Sequence, residues 1–143
     1  MIIDSTLMMS DKQAITSGTV LSTNVIDFGE RGKVPPHGGQ IVADMGYGEK
    51  IPLLVQATES FAGLTSLAIS VQTSDAENFS PHTTLITEAI PVAKLKAGDR
   101  ISLPVVPYNT TGRYMRMSYT ATGTATAGKI TACITMGNDE TYK

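Results

Sequence analysis

The sequence predicts an all-β domain, and strict alternation of apolar and polar side chains is the main reason. Within residues 66–72, leucine, isoleucine and valine alternate with serine, alanine and glutamine. Residues 114–121 and 129–136 alternate in the same way. A period of two is typical of strands with one buried face. The second segment is also rich in threonine, which loses rotamer freedom in a helix. Both observations favour strands over helices.

The segment 112–136 is expected to form a long β-hairpin. Its two alternating halves are separated by residues 122–128, which consist of glycine, threonine and alanine. Alternation on both sides of a glycine-bearing linker is the usual pattern of two antiparallel strands joined by a turn. No side chain in this segment belongs to a recognisable catalytic motif.

Shorter strands are expected along the rest of the chain, with turn signals between them. They fall near residues 7–16 (broken around Asp11 and Lys12), 20–28, 53–58, 66–72, 83–90 and 100–103. Residues 59–63 and 97–99 predict chain reversals, and residues 91–95 predict a single helical turn. Phe79 is expected to hold the loop 73–81 against the core. About eight short strands with this spacing predict a jelly-roll-like β-sandwich of two antiparallel sheets.

The chain is expected to be a single domain over residues 1–143, with a Gly/Pro-rich arm or loop at residues 29–52. That segment contains six glycines and three prolines in 24 residues, and connections of this length are uncommon unless they are functional or disordered. Its apolar side chains have little use in a solvated loop. They are the candidate contact residues Ile41, Val42, Met45 and Tyr47. The segment either folds back on its own domain or contacts a partner.

Composition excludes several classes of partner. The net charge is −2 and no Lys/Arg cluster exceeds two residues, so we expect no nucleic-acid partner. Apolar runs are far shorter than a membrane span, and the N-terminus has no basic region of a signal peptide. We therefore expect a soluble protein made in a cytoplasm. The single cysteine, Cys133, cannot form an internal disulfide and is expected to be a small residue near the core.

No metal, cofactor or catalytic site is expected. His37 and His82 stand in separate loops without ligand spacing, and a solvated histidine is the simplest interpretation of His82. The carboxylate pairs lie in predicted turns or in the tail, at residues 75 and 77 and at residues 139 and 140. A small hydrolase built on them remains an alternative with little support. A carbohydrate- or receptor-binding jelly roll is the stronger alternative, with Tyr47 or Tyr108 as the stacking ring.

Two motifs and their order in the chain resemble a known family. The first is Gln72-Thr73-Ser74-Asp75 at the end of a strand, and the second is Arg113-Tyr114-Met115-Arg116-Met117-Ser118-Tyr119. A run of small residues and a final strand containing Lys129 follow. The N-terminal Asp-Ser-Thr-Leu and the segment 24–27 fit as well. Together these features resemble the Bbp16-like capsid cement (decoration) proteins of tailed bacteriophages, over most of the chain except residues 30–48.

This resemblance implies a structural virion protein rather than an enzyme. Such a protein would bind the outside of the phage head after the head expands and would clamp neighbouring major capsid subunits. The expected partners are the major capsid protein and further copies of this chain, with a dimer favoured over a trimer. The expected location is the capsid exterior, after synthesis in the host cytoplasm.

Overall fold

The computed structural model describes residues 3–29, 33–34, 39–40, 52–104, 106 and 112–135, and these residues form β-strands and one turn of 3-10 helix. The strands are β1 (Ile3–Ala14), β2 (Ser17–Leu21), β3 (Ile26–Asp27), β4 (Lys33–Val34), β5 (Gly39–Gln40), β6 (Leu53–Ser74), β7 (Thr83–Pro91), β8 (Arg100–Ile101) and β9 (Tyr114–Thr135). The predicted all-β class is confirmed. So is the predicted helical turn, at Val92–Lys94.

The centre of the fold is an antiparallel ribbon of two 22-residue strands, β6 and β9. They pair along their whole length, from Leu53 opposite Ile134 to Ser74 opposite Tyr114. The predicted hairpin at 112–136 is therefore wrong, because its two halves are parts of one strand and pair with β6. The predicted reversal at 59–63 is wrong for the same reason, since β6 continues through it.

Bulges and glycines explain why these two segments resemble turns. The β6–β9 register shifts four times between Ala57 and Ser66, and each shift bends and twists the ribbon. Gly63, Gly123 and Gly128 have positive φ angles in the same region. Turns and bulges use the same residue types, because both require backbone conformations that glycine adopts at low cost.

The other strands lie along the two sides of the ribbon. β1 pairs with the C-terminal half of β9, and β2 and β3 pair with its N-terminal half. On the opposite side, β7 pairs with the C-terminal half of β6 and β8 with its N-terminal end. Among the described residues, pairing joins these seven strands into one antiparallel sheet, where the sequence predicted two, and β4 pairs only with β5. The break predicted within β1 is a bulge, where Lys12 has a φ of 45°.

A single hydrophobic core receives side chains from both halves of the ribbon. The buried members include Met9, Val55, Leu67, Ile69, Val71, Ile86, Ile90, Ile101, Met115, Met117, Tyr119, Ile130 and Ile134. Alternation along β6 and β9 placed the members from these two strands correctly. Ile69 is completely buried, whereas Ser70 is half-buried on the other side of the strand and its hydroxyl lies 3.1 Å from that of Thr87.

The segment after β7 covers the bend of β6. Leu95 is completely buried, and its carbonyl accepts a hydrogen bond of 2.9 Å from the amide of Phe61. Ala57 donates to the Asp99 carbonyl at 3.0 Å and accepts from the amide of Gly98 at 2.8 Å. These bonds satisfy backbone groups of β6 near the point where its pairing with β9 becomes irregular.

Side-chain orientation in β6 can be tested with two aspartates. Ile69→Asp places a carboxylate in the core and should cost about 5 kcal/mol or more, comparable to the whole stability of a small domain. Soluble folded protein should then be lost. Ser70→Asp leaves the carboxylate in contact with water and should change the melting temperature by only a few degrees, measured by circular dichroism. Equal damage from both would show that the two faces are buried alike.

The bend can be tested at Gly128, whose φ is +136° and where an added Cβ would overlap the Phe61 ring. Strain and overpacking should make Gly128→Ala lose about 2–5 kcal/mol of unfolding free energy. Gly18 is the control, because its φ is +62° and no atom lies within 4 Å of an added Cβ. Gly18→Ala should lose about 1 kcal/mol. Urea denaturation measures both, and similar losses would contradict a steric role for Gly128.

Candidate functional site

The four candidate contact residues of the arm, Ile41, Val42, Met45 and Tyr47, lie outside the described residues. Their role in binding therefore stays a prediction. The tyrosine proposed as an alternative sugar-stacking ring, Tyr108, lies outside them as well, as do His37 and the pair Asp139 and Glu140.

The structure brings together the two motifs that carry the family resemblance, although they lie 41 residues apart in sequence. Gln72 pairs with Arg116, and Ser74 pairs with Tyr114. The motifs thus form the last rungs of the β6–β9 ribbon, where the two strands separate into loops. We call this group of residues, 72–75 and 113–116, the ribbon end.

Two hydroxyl groups organise the ribbon end. The Thr73 hydroxyl donates to the Tyr114 carbonyl at 2.9 Å and accepts from the Gly112 amide at 2.7 Å. The Ser74 hydroxyl donates to the Pro81 carbonyl at 2.6 Å and accepts from the Ala76 amide at 3.0 Å. Both residues with hydroxyls are buried. Each hydroxyl satisfies two backbone groups that leave the strand ladder, so the loops on both strands are held in place.

Charged groups connect the ribbon end to β3. Asp75 accepts a hydrogen bond from the Arg113 amide at 3.2 Å. The Arg113 guanidinium donates two bonds to Asp27, at 2.9 and 3.0 Å. These bonds, and one from the Gly29 amide, lower the pKa of Asp27 below its ordinary value. The pair is partly exposed, so its contribution lies in fixing geometry more than in stabilising the fold.

Arg116 and Phe79 form the third contact of the ribbon end. The guanidinium carbon lies 4.0 Å from the centre of the Phe79 ring, and Nε donates to the Gln72 side chain at 2.8 Å. Partial burial lowers the pKa of Arg116. Phe79 is itself buried, which confirms that it holds the loop after β6. A cation over an aromatic face is attracted by the ring quadrupole, so the contact is favourable.

The last residue of the second motif, Tyr119, lies in the core. Its hydroxyl is 2.8 Å from that of Ser10, which itself donates to Gln13. The Tyr119 hydroxyl is therefore the donor to Ser10. Burial raises the pKa of Tyr119, so the phenol remains protonated. The bond connects β1 to the opposite half of β9, and the ring has no access to a substrate in solution.

The other polar candidates of the described region also fail to converge. His82 is exposed, as predicted, and its Nδ1 lies 3.0 Å from the Phe79 carbonyl. Glu77 is exposed beside Ala76 and Asn78 around a shallow open depression. Within the residues that the structure describes, no three His, Cys, Asp or Glu side chains are grouped to hold a metal ion. Nor does this part of the chain contain a helix that is long and apolar enough to cross a membrane.

Cys133 is buried, as predicted, and burial raises the pKa of its thiol. The thiol is therefore mostly protonated and unsuited to act as a nucleophile. Sequence reasoning missed the structural use of the two motifs, and the only chemical role that it considered for Asp75 was in a carboxylate pair. The alternation within each motif carried the signal, but the register between β6 and β9 was needed to bring the motifs together.

A test of the ribbon end is Thr73→Val, which keeps the shape of the side chain and removes its hydroxyl. The Gly112 amide and the Tyr114 carbonyl would lose their partner, at a cost of about 1–3 kcal/mol. Thr19→Val is the control, since Thr19 is exposed and its hydroxyl contacts only that of Thr120, at 3.0 Å. Chemical denaturation should separate the two by at least about 1 kcal/mol. Equal stabilities would mean that water replaces the Thr73 hydroxyl.

Comparison with known proteins completes this description. No curated protein matches the chain. The family model of Bbp16 matches residues 9–134, a span that contains both motifs, every strand from β2 to β8 and all of β9 except Thr135. The match agrees with the resemblance that the ordered motifs predict, and it shows that the chain belongs to the Bbp16 family.

Proposed function

We propose that this protein is a capsid cement protein of a tailed bacteriophage, which binds the outside of the head and clamps neighbouring major capsid subunits. The observation that carries the proposal is the Bbp16 family match over residues 9–134, together with the cement role that the resemblance to Bbp16-like proteins implies. An all-β chain with a long central ribbon is suited to a static, load-resisting role. The proposal makes the protein a structural component rather than an enzyme.

The use of polar groups in the ribbon end supports a structural role. Thr73, Ser74 and Asp75 each bond to backbone groups of the protein itself, and Arg113 bonds to Asp27. A catalytic or ligand-binding motif would instead direct such groups toward a common open space. Here the motif holds loops in fixed positions, which is what a binding surface on a rigid shell requires.

We infer that the bent ribbon folds over itself so that its halves form the two layers of a jelly-roll sandwich. The Tyr119–Ser10 bond supports this inference, because it joins the N-terminal half of β9 to a strand paired with the C-terminal half. The hydrophobic core also supports this inference, since it contains Met117 from one half of the ribbon and Ile130 from the other. A sandwich buries the apolar face of each layer against the other.

The proposed partners are the major capsid protein and a second copy of this chain, with a dimer favoured over a trimer. The protein would be made in the host cytoplasm and added to the outside of the expanded head. The proposed contacts with the capsid are Ile41, Val42, Met45 and Tyr47, because apolar and aromatic side chains supply most of the binding energy of interfaces.

Co-sedimentation with heads that lack this protein tests the proposal directly. We expect the protein to pellet with expanded heads and to stay in solution with unexpanded heads. Failure to bind expanded heads would contradict the cement role.

The arm is tested by replacing residues 32–46 with a short Gly-Ser link. Loop-closure free energy changes by only about 0.6 kcal/mol per doubling of loop length, so the protein should melt within a few degrees of the parent. Binding to heads should be lost, because each arm of an oligomer contributes to the total affinity. A matched control replaces three exposed apolar residues of the described part of the chain, Ile3, Leu21 and Val25, by serine. This variant should still bind. Parental binding by the shortened protein would show that the arm is an ordinary surface loop.

A further inference from the structure

Among the strands that the structure describes, β7 is an outer strand of the sheet, paired along one of its two edges. It pairs with β6 from Ser66 opposite Pro91 to Thr73 opposite Thr83. Among the described strands, β6 is its only partner. An outer strand presents unpaired amide and carbonyl groups along its free edge, and another strand can pair with them.

The free edge of β7 is more regular than that of β1 on the other side of the sheet. The pairing of β1 with β9 shifts register three times, and Lys12 in β1 has a positive φ. Such irregularities discourage edge-to-edge pairing. The β6–β7 ladder, in contrast, is continuous from Val71 opposite Ile86 to the end at Pro91. Pro91, at the end of the stretch, has no amide hydrogen to donate, but the backbone of residues 86–90 does little to prevent pairing.

Glu88 lies in the middle of this regular stretch, on the side of the strand that faces the core. Its partner across the ladder is Ile69, which is completely buried. Its neighbours on the same side of β7, Ile86 and Ile90, also belong to the core cluster. Glu88 is nevertheless exposed, and it forms no hydrogen bond or ion pair with the residues that the structure describes. It is the one charged side chain of β7 (Thr83–Pro91).

The other side chains of β7 favour strand pairing. They are mainly threonine, leucine and isoleucine, which have high β propensity and no charge. A single charge in such a segment is a common way to prevent association of exposed strands. We propose that Glu88 prevents the free edge of β7 from pairing with the same edge of a second copy of this chain.

The geometry of antiparallel self-pairing supports this proposal. A continuous sheet across two copies requires that core-facing residues of one β7 lie opposite core-facing residues of the other. In the registers that pair seven or more residues of β7 (Thr83–Pro91), Glu88 then lies opposite Ile86, Glu88 or Thr84 of the second copy. The Ile86 register places a carboxylate against an aliphatic side chain, and the Glu88 register places like charges directly opposite each other. Glu88 therefore disfavours two of these three registers, including the one that pairs the whole strand.

The test is the self-association of Glu88→Val, measured by sedimentation equilibrium against the parent protein. Removing the charge and adding a β-branched residue should tighten self-association about tenfold or more. The variant should form a species of twice the parent mass, whatever the oligomeric state of the parent. Glu88→Thr is a second variant in case valine reduces solubility. Parental self-association in both variants would overturn the proposal.

Two controls identify the cause. Glu88→Lys keeps a charge at the same position and should associate no more than the parent, so association in this variant would overturn the role of charge. Glu77→Val removes an exposed carboxylate from a turn outside any strand and should also behave as the parent. If Glu77→Val associates as strongly as Glu88→Val, general loss of charge is responsible and the β7 edge is not the surface. The inference does not depend on the proposed function.

Discussion

The bend of the β6–β9 ribbon is the constraint on which the rest of the structure depends. With a regular ladder, two strands of 22 residues would form a twisted but extended pair, and one core could not receive side chains from both ends. Bulges between Ala57 and Ser66 provide the bend. Two glycines make it possible, because an added Cβ at Gly63 would lie 2.5 Å from the Thr124 carbonyl and one at Gly128 would overlap the Phe61 ring. Every other strand of the seven-stranded sheet is positioned by the half of the ribbon that it accompanies.

The ribbon end imposes a second constraint, with polar contacts in place of close packing. Bulges allow the two strands to bend. They do not hold β6 and β9 together at the ribbon end, where each strand is connected to a loop. The buried hydroxyls of Thr73 and Ser74 and the guanidinium groups of Arg113 and Arg116 occupy the positions where that separation would begin. A motif of this kind identifies a fold rather than a reaction. Membership of the Bbp16 family is therefore informative about architecture, and the proposed binding role depends on surfaces outside the motif.

The sequence predicted the local properties of the strands and missed their pairing, for a physical reason. Which face a side chain occupies follows from its neighbours two positions away, so Ile69 and Met117 were placed in the core correctly. Whether residues 114–135 fold back or continue depends on β6, which lies far away in the chain. Turns and bulges can both contain the positive φ angles found at Gly123 and Gly128. The residues alone therefore favoured a local hairpin over pairing with a strand that is distant in the sequence. The candidate contacts near residue 45 have no comparable signal, since isolated apolar side chains in a Gly/Pro-rich segment fit either burial or binding.

The number and positions of charged side chains affect contacts between copies of this chain. Only 17% of the residues are charged, and the ion pairs of the described sheet join neighbouring strands, with Arg113 on Asp27 and Lys129 on Glu59. Glu88 has a different position, on the outermost strand and facing the core side. A surface poor in charge has little electrostatic repulsion to keep copies apart, so a regular outer strand is a greater hazard here than in a highly charged protein. The hazard would be greatest for a protein held at high local concentration on a shell. On the capsid shell proposed for this protein, neighbouring copies would have to associate without pairing along the β7 edge.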